Sequence, residues 1–395
     1  MNRVYLADST LREGEQTPGV HFTRDEKIRI ARELDQAGAA LLDVGMPSVS
    51  QEEMDSIAAI AGLGLAAPIG VSARLRREEV DQACACRAAE IFLICPVSPL
   101  HVRSKLGMDE EGLRVLAGDV VGYAVQRGLA VNFVAEDASR AEAAFIADML
   151  CHGHACGARR AILCDTVGIM EPFGMKELVS RVKASVPQGL SMGVHCHDDL
   201  GLATANTIAA AEAGAEILSV TVNGLGERAG NAPLHEVAVA AEKLLGREHG
   251  IDMHRLYDLS RLVEHCSGIF LSPNTPVVGF NSFRHESGIH IDGLLKNSGT
   301  YTGLDPSDVN RAASFVLGKH TGTGAIRHIL QQKGYAADDV QLEKIVRRIK
   351  EKKAAAGKDD IRQMAERMEQ YYEHSLSFPQ NIFWEIVEEV LNGRE

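Results

Sequence analysis

Gly193-Val-His-Cys-His-Asp-Asp-Leu-Gly-Leu-Ala-Thr-Ala-Asn206 opens as a strand, turns polar and ends as a helix. The apolar run Leu190 to Val194 leads into it. Side chains alternate in an extended chain, so His195 and His197 share one face and Cys196 takes the other. Two imidazoles ~7 Å apart on one strand face can both turn onto a divalent ion. Asp198 and Asp199 then carry the chain out of the strand, and Gly201 opens an apolar helical stretch. The histidine pair therefore stands at the carboxyl end of a strand, where a βα loop begins. A lone His-x-His is equally consistent with two hydrogen-bonded residues at a strand end, so the surroundings decide.

Working outward, the same strand-then-helix unit recurs. Short apolar runs lie at Val4–Ala7, Ala40–Val44, Ala67–Val71, Glu90–Cys95, Leu129–Val134, Ala161–Cys164, Leu190–Val194 and Ile217–Val222. They are continuously apolar, as strands buried on both faces must be. Between and after them the spacing predicts amphipathic helices over Thr23–Ala37, Gln51–Ala61, Arg77–Ala88, Asp109–Gln126, Arg140–Cys156, Glu171–Val186, Leu202–Ala213 and Ala232–Leu245. Eight such units over ~250 residues predict an α/β fold, a (β/α)8 TIM barrel, over a doubly wound open sheet. Past residue 250 the rhythm changes. Residues 254–270 read as helix, Leu271–Gly303 as a polar loop, and Ala336–Glu395 as charged helix broken near Gly357. The expected organisation is a catalytic barrel at 1–270, a loop-rich subdomain at 271–330 and a mostly helical C-terminal region at 331–395.

Composition excludes several classes. The chain has 395 residues, 45% hydrophobic and 24% charged, with a net charge of −13. That balance argues against nucleic acid and anionic membrane surfaces as partners. No apolar run reaches the ~18 residues of a membrane span. The eight cysteines form no Cys-x-x-Cys pair and the amino end enters a strand pattern without a signal segment, so a reducing cytoplasmic setting is expected.

Barrel active sites lie at the carboxyl ends of the strands, and polar residues collect there. Asp8-Ser-Thr-Leu-Arg-Glu-Gly-Glu-Gln16 follows the first strand, Asp43 the second, and Ser72 and Arg74 belong to the third. Ser98, His101, Arg103 and Lys105 follow the fourth, Glu136-Asp137 the fifth, and Asp165-Thr166 the sixth. Asn223-Gly-Leu-Gly-Glu-Arg-Ala-Gly-Asn231 follows the eighth. A carboxylate with His195 and His197 makes a divalent-metal site with open positions. Glu13 or Asp8 supplies the carboxylate, and Asn231 can add an amide oxygen. Arg12 beside such an ion suits a carboxylate or developing oxyanion. Together they fit a 2-oxo acid. Mg, Mn, Fe and Zn all tolerate these ligands.

Three motifs point elsewhere and are read as structural. His152-Gly-His154 lies at a helical end, where residues two apart do not share a face. Gly224-x-Gly226-x-x-x-Gly230 has the wrong spacing and position for a dinucleotide loop. Gly318-Lys-His-Thr-Gly-Thr-Gly324 lacks the residues of a phosphate loop and reads as a helix-start turn that can offer backbone N–H groups to an anion.

The run Asp8–Gln16, with His195-Cys-His-Asp-Asp-x-Gly201 and Gly226-Glu-Arg-Ala-Gly-Asn231, resembles the acyl-CoA-dependent condensing enzymes related to 2-isopropylmalate synthase. Asp165-Thr-Val-Gly-Ile-Met-Glu-Pro-Phe-Gly174, His285-Glu-Ser-Gly-Ile-His-Ile-Asp-Gly-Leu-Leu295 and Leu317-Gly-Lys-His320 are most similar to the homocitrate synthases of nitrogen-fixing bacteria. The likeness covers about residues 3 to 330. It implies an acyltransferase that condenses acetyl-CoA with 2-oxoglutarate to (R)-homocitrate and CoA. It implies Glu13 over Asp8 as metal ligand, with His195, His197 and Asn231. By the same likeness, Arg12, Gln16, His101 and Thr166 bind substrate, and Arg12 and Glu136 take part in catalysis. His290 and Tyr301 match a pair that the family's carboxyl-terminal region places over a partner's barrel, which implies a homodimer.

Two departures from the pattern stand out. Asn132 and Val134 occupy positions where the lysine-pathway enzymes carry an arginine and a serine for the distal carboxylate, so Arg74 is expected in that role. The amino-acid-sensing domain of long isopropylmalate synthases has no counterpart here, so no leucine inhibition is expected. The competing readings are a 2-isopropylmalate or citramalate synthase, a metal-dependent lyase, and a non-catalytic barrel.

Overall fold

A computed structural model describes residues 3–376 and 378–392. Eight parallel strands close into one barrel in sequence order: β1 Tyr5–Asp8, β2 Leu41–Asp43, β3 Ile69–Arg74, β4 Glu90–Pro96, β5 Ala130–Glu136, β6 Arg160–Asp165, β7 Ser191–Cys196 and β8 Ile217–Val220. Closure is made by β1 against β8, with Tyr5 opposite Ile217 and Asp8 opposite Val220. The barrel expected from the sequence is the one observed. Most strand edges shift by one to three residues, because polar residues such as Arg74, Glu136 and Asp165 extend ladders past the apolar runs.

The helices of this unit are α1 Arg24–Gln36, α2 Gln51–Ala61, α3 Arg77–Ala85, α4 Pro99–Leu106, α5 Glu110–Gln126, α6 Ala143–Ala155, α7 Pro172–Ser185, α8 Ala203–Glu212, α9 Leu234–Leu245 and α10 Leu256–Ser267. Their starts are chemically marked. Thr23 and Glu26 form a reciprocal capping box on α1, and Ser50 accepts the Glu53 N–H at the start of α2. The apolar spacing of the sequence does not predict helix α4. Ser98 caps it, Pro99 opens it and left-handed Gly107 ends it, so its signals were local ones.

Inside the barrel, Ala7, Leu41, Phe92, Val134, Ile162, Cys164 and Ile217 form one buried cluster contributed by six strands. Each large side chain buried in this way contributes about 1.5–3 kcal/mol. This layer is the floor on which the polar residues of the strand ends stand.

The chain divides into two compact units, Met1–Phe270 and Leu271–Glu395. The second unit holds a two-stranded parallel sheet, β9 Arg284–His285 with β10 Ser314–Phe315. Its helices are α11 Gly288–Lys296, α12 Thr323–Gln332, α13 Asp339–Ala355, α14 Asp359–Gln370 and α15 Gln380–Leu391. One expectation is corrected here. The segment Leu271–Gly303 is not all loop, since α11 lies within it. The division expected at residue 330 falls inside the last turn of α12, because the left-handed stop is Gly334. No helix among the described residues is long and apolar enough to cross a membrane.

Candidate active site

The mouth of the barrel at the strand carboxyl ends holds a cavity of about 240 Å³. Into it the turn after β1 brings Arg12, Glu13 and Gln16. β3 brings Ser72, the end of β5 brings Glu136, the loop after β6 brings Thr166, and β7 with its loop brings His195 and His197.

Glu13, His195 and His197 are all buried, and one donor atom from each lies within 4.8 Å of the others. The two imidazole rings sit edge to face with centroids 5.0 Å apart, and His197 Nε2 is 3.8 Å from Glu13 Oε1. Ser219 Oγ stands 2.8 Å from His195 Nδ1, which fixes the ring and leaves Nε2 for the cluster. Burial, and then the neighbouring imidazole, push the His195 pKa down to about 3, so its ring is neutral with a lone pair to give. Burial alone would raise the Glu13 carboxyl. Arg12 and the two imidazoles outweigh it and hold Glu13 at about 2. His197 Nδ1 and Asn231 Oδ1 are buried with no hydrogen-bond partner. Backbone pairing sets Asn231 opposite His197. Buried polar atoms without partners are costly, and a cation would take the Asn231 amide oxygen. The donor set fits a divalent ion with positions left open.

Asp8 does not join this cluster. Its carboxylate accepts the Thr10 N–H at 2.8 Å and the Thr10 hydroxyl at 2.9 Å, and burial pushes its pKa up to about 7. Arg12 is gripped from both sides, with Nε donating to Asp43 Oδ2 at 2.8 Å and Nη1 to Glu13. Asp43 Oδ2 also accepts from Ser9 at 3.2 Å and Ser72 at 2.8 Å. The guanidinium is thus aimed before any ligand arrives. Gln16 reaches Met46 Sδ at 3.8 Å. Beyond it a recess of about 280 Å³ shares Arg12, Gln16 and Met46 with the cavity, and there Lys27 bridges Glu15 and Glu53.

The other expected residues divide. Glu136 lines the cavity while accepting Lys105 Nζ at 2.6 and 2.9 Å. Thr166 lines it too. His101, on α4, stands behind Glu136, 3.5 Å from its carboxylate, and is not in the lining. Arg74 is also outside the lining, because its Nε donates to Glu79 at 2.6 Å. The position expected for a distal-carboxylate partner is therefore occupied by a residue engaged elsewhere. Asn132 is buried and bonded to Glu90 and Arg160. The rest of the lining combines the apolar Met46, Ile94, Val134 and Cys164 with the charged Glu227 and Arg228. In the second unit, the rings of His290 on α11 and Tyr301 stack with centroids 4.3 Å apart.

Two contributors were missed in the sequence. Ser219 is the polar residue of β8, and the register that sets Val194 opposite Leu218 puts it level with His195. Arg228, in a left-handed conformation, donates to both oxygens of Asp199 and to the Thr166 carbonyl. The three side motifs are structural. His152 and His154 each face a backbone carbonyl. A Cβ on Gly230 would collide with the Gly224 carbonyl, so those glycines make the tight turn that delivers Asn231. The loop at Gly318 holds an internal anion, since His320 N–H donates to Glu286 at 3.0 Å.

Solved structures share this architecture. HMG-CoA lyase from Brucella melitensis aligns over 68% of this chain and all of its own, with TM-score 0.60 and 21% identity. The carboxyl transferase domain of Rhizobium etli pyruvate carboxylase aligns over 67% of this chain and 47% of its own, with TM-score 0.55 and 17% identity. Among curated relatives, Homocitrate synthase AksA of Methanopyrus kandleri is 44% identical over 349 residues, 88% of this chain and 87% of the relative. A protein of the same organism provisionally named (R)-citramalate synthase CimA is 45% identical over 349 residues, 88% and 69% of the two. Residues 277–358 match the homocitrate synthase post-HMGL domain-like model. The HMGL-like model matches residues 3–263, the whole strand-and-helix barrel that carries the cluster, and the chain belongs to the HMGL-like family.

Proposed function

We propose that this chain is an acyltransferase that condenses acetyl-CoA with a 2-oxo acid and water, releasing CoA, and that the acceptor is 2-oxoglutarate, giving (R)-homocitrate. The observation that carries the reading is the Glu13, His195 and His197 cluster set beside a pre-aimed Arg12 at the barrel mouth. Glu13, His195, His197 and Asn231 would hold a divalent ion. Such an ion polarises the carbonyl of a 2-oxo acid for attack by carbon.

This chain's residues do the rest. Arg12 donates to the oxygen on which charge develops. Thr166 donates to the substrate carboxylate, and Glu136 and Gln16 line the space around it. His290 and Tyr301 assist removal of an acetyl methyl proton or stabilise the resulting enolate. In this reading they act in a second copy of the chain, as a homodimer would allow. The homocitrate-type match over residues 277–358 and the relative named homocitrate synthase support 2-oxoglutarate.

One observation favours a second acceptor. The wall of Met46, Ile94 and Val134 is apolar, with Arg74 drawn away to Glu79. That wall suits a short apolar side chain, as in a citramalate or 2-isopropylmalate synthase, and the relative named for citramalate accords with it. The test is CoA release from acetyl-CoA with 2-oxoglutarate, pyruvate and 2-oxoisovalerate, after chelation and reloading with Mg, Mn, Fe or Zn. Release above background with none of the three would sink the condensing reaction. Fastest release with pyruvate would replace 2-oxoglutarate by the second reading.

A further inference from the structure

Thr166 forms part of the cavity wall, and its hydroxyl is used in one of its two senses. Its oxygen accepts the backbone N–H of Asp137 at 2.8 Å, and among the hydrogen bonds of the described residues it donates to none. A hydroxyl has one proton and two lone pairs. With a lone pair committed to a fixed amide, the proton turns away from that amide and is left for an acceptor in the cavity that Thr166 lines.

The amide is aimed by an uncommon backbone. Asp137 has φ 63° and ψ 36°, left-handed for a residue other than glycine. Its fully buried carboxylate keeps it there. Arg140 Nε donates to both oxygens at 2.8 and 3.0 Å, and Ser98 Oγ donates to Oδ2. Ser98 in turn caps α4, so one carboxylate joins the loops after β4 and β5. On the far side, Arg228 Nη2 holds the Thr166 carbonyl at 2.7 Å while gripping Asp199. Thr166 is thus fixed through both of its oxygens, by neighbours on two different loops.

We propose that Asp137 is a positioning residue for the condensing reaction. Its left-handed amide, locked by Arg140 and Ser98, turns the Thr166 hydroxyl proton toward the C1 carboxylate of the bound 2-oxo acid. This rests on the reading that a 2-oxo acid occupies the cavity with that carboxylate at Thr166. Asp137 itself touches no substrate. A donor already turned to its target needs no reorganisation on binding, which is where preorganised sites gain. Because every 2-oxo acid carries the same C1 carboxylate, the device serves the class rather than one member of it.

The test is a double-mutant cycle on the metal-loaded enzyme with Asp137→Ala, Thr166→Val and the double variant. Binding of 2-oxoglutarate, pyruvate and 2-oxoisovalerate is measured by calorimetry, and KM for acetyl-CoA by CoA release. Asp137→Ala is expected to weaken each 2-oxo acid that the wild type binds by about tenfold, with KM for acetyl-CoA unchanged. In the Thr166→Val background the same change should have no further effect. Asp137→Asn tolerates the left-handed backbone, keeps an acceptor oxygen and should bind within about twofold of wild type. Effects that multiply in the double variant, or an equal rise in KM for acetyl-CoA, overturn the proposal and leave the carboxylate reading standing. Unchanged binding in Thr166→Val, or a wild type that binds none of the three acids, overturns that reading and the proposal with it. Where circular dichroism shows Asp137→Ala unfolded, Asp137→Gly, free to adopt the same backbone, carries the cycle with the same expected outcomes.

Discussion

Phe133, in the middle of β5, is 1% exposed, whereas Trp384, on α15, is 58% exposed. The contrast runs through the two units. The barrel strands are buried on both faces, and one polar end is left for chemistry. In the second unit α14 and α15 bury no residue, although Ile382, Phe383, Ile386 and Val390 keep helical spacing along α15. Periodicity says that an element owns an apolar face, and packing says whether that face is spent. The two units also differ in what they bring to the proposed reaction. The candidate metal ligands Glu13, His195 and His197 are buried together inside the barrel, whereas His290 and Tyr301 are exposed.

That contrast can be broken at several points. Glu13→Ala should lower kcat by roughly a thousandfold or more and abolish bound metal in an elemental analysis, with the fold retained. An enzyme that keeps both metal and activity would remove the barrel's claim to the chemistry. His290→Ala should lower kcat by ~10²–10⁴-fold while leaving metal content unchanged. Mixing it with Glu13→Ala chains should then restore activity that neither has alone, and no recovery on mixing speaks against the second-copy arrangement.

Phe133→Ala should cost the barrel about 3–5 kcal/mol in denaturant titration. Ser219→Ala should loosen the His195 ring and weaken metal affinity by about 10–100-fold, read by competition with a chelating dye. Trp384→Ala should move the unfolding midpoint by under about 0.5 kcal/mol. A cost near that of Phe133→Ala would mean that the α15 face is covered in solution.

How much of this was legible follows from the same physics. Eight strand runs could be read because a strand buried on both faces leaves a continuous apolar signature. The histidine pair could be read because strand alternation fixes which residues share a face. Helix α11 was not legible. It is nine residues long, Gly288 opens it, Gly293 interrupts it, and only Ile291 is buried. The choice of Glu13 over Asp8 needed the family likeness, since both are acidic residues near the carboxyl end of β1. Only coordinates show that Thr10 occupies Asp8. The sequence does not show that Arg74 is engaged by Glu79 in the first turn of α3. Ser219 was visible only through register, a property of two strands together.

The cluster has a mechanical side as well. Glu13 follows β1 and the histidines end β7, with β8 lying between them. Only two residue pairs are in register between β7 and β8, against six between β6 and β7. A cation gripped from the turn after β1 and from the end of β7 would act as a rivet across this thinly laddered seam and draw remote parts of the chain together. Its binding energy is then shared with closure of the cylinder. Metal loading should accordingly raise the temperature at which the whole barrel melts, with or without substrate.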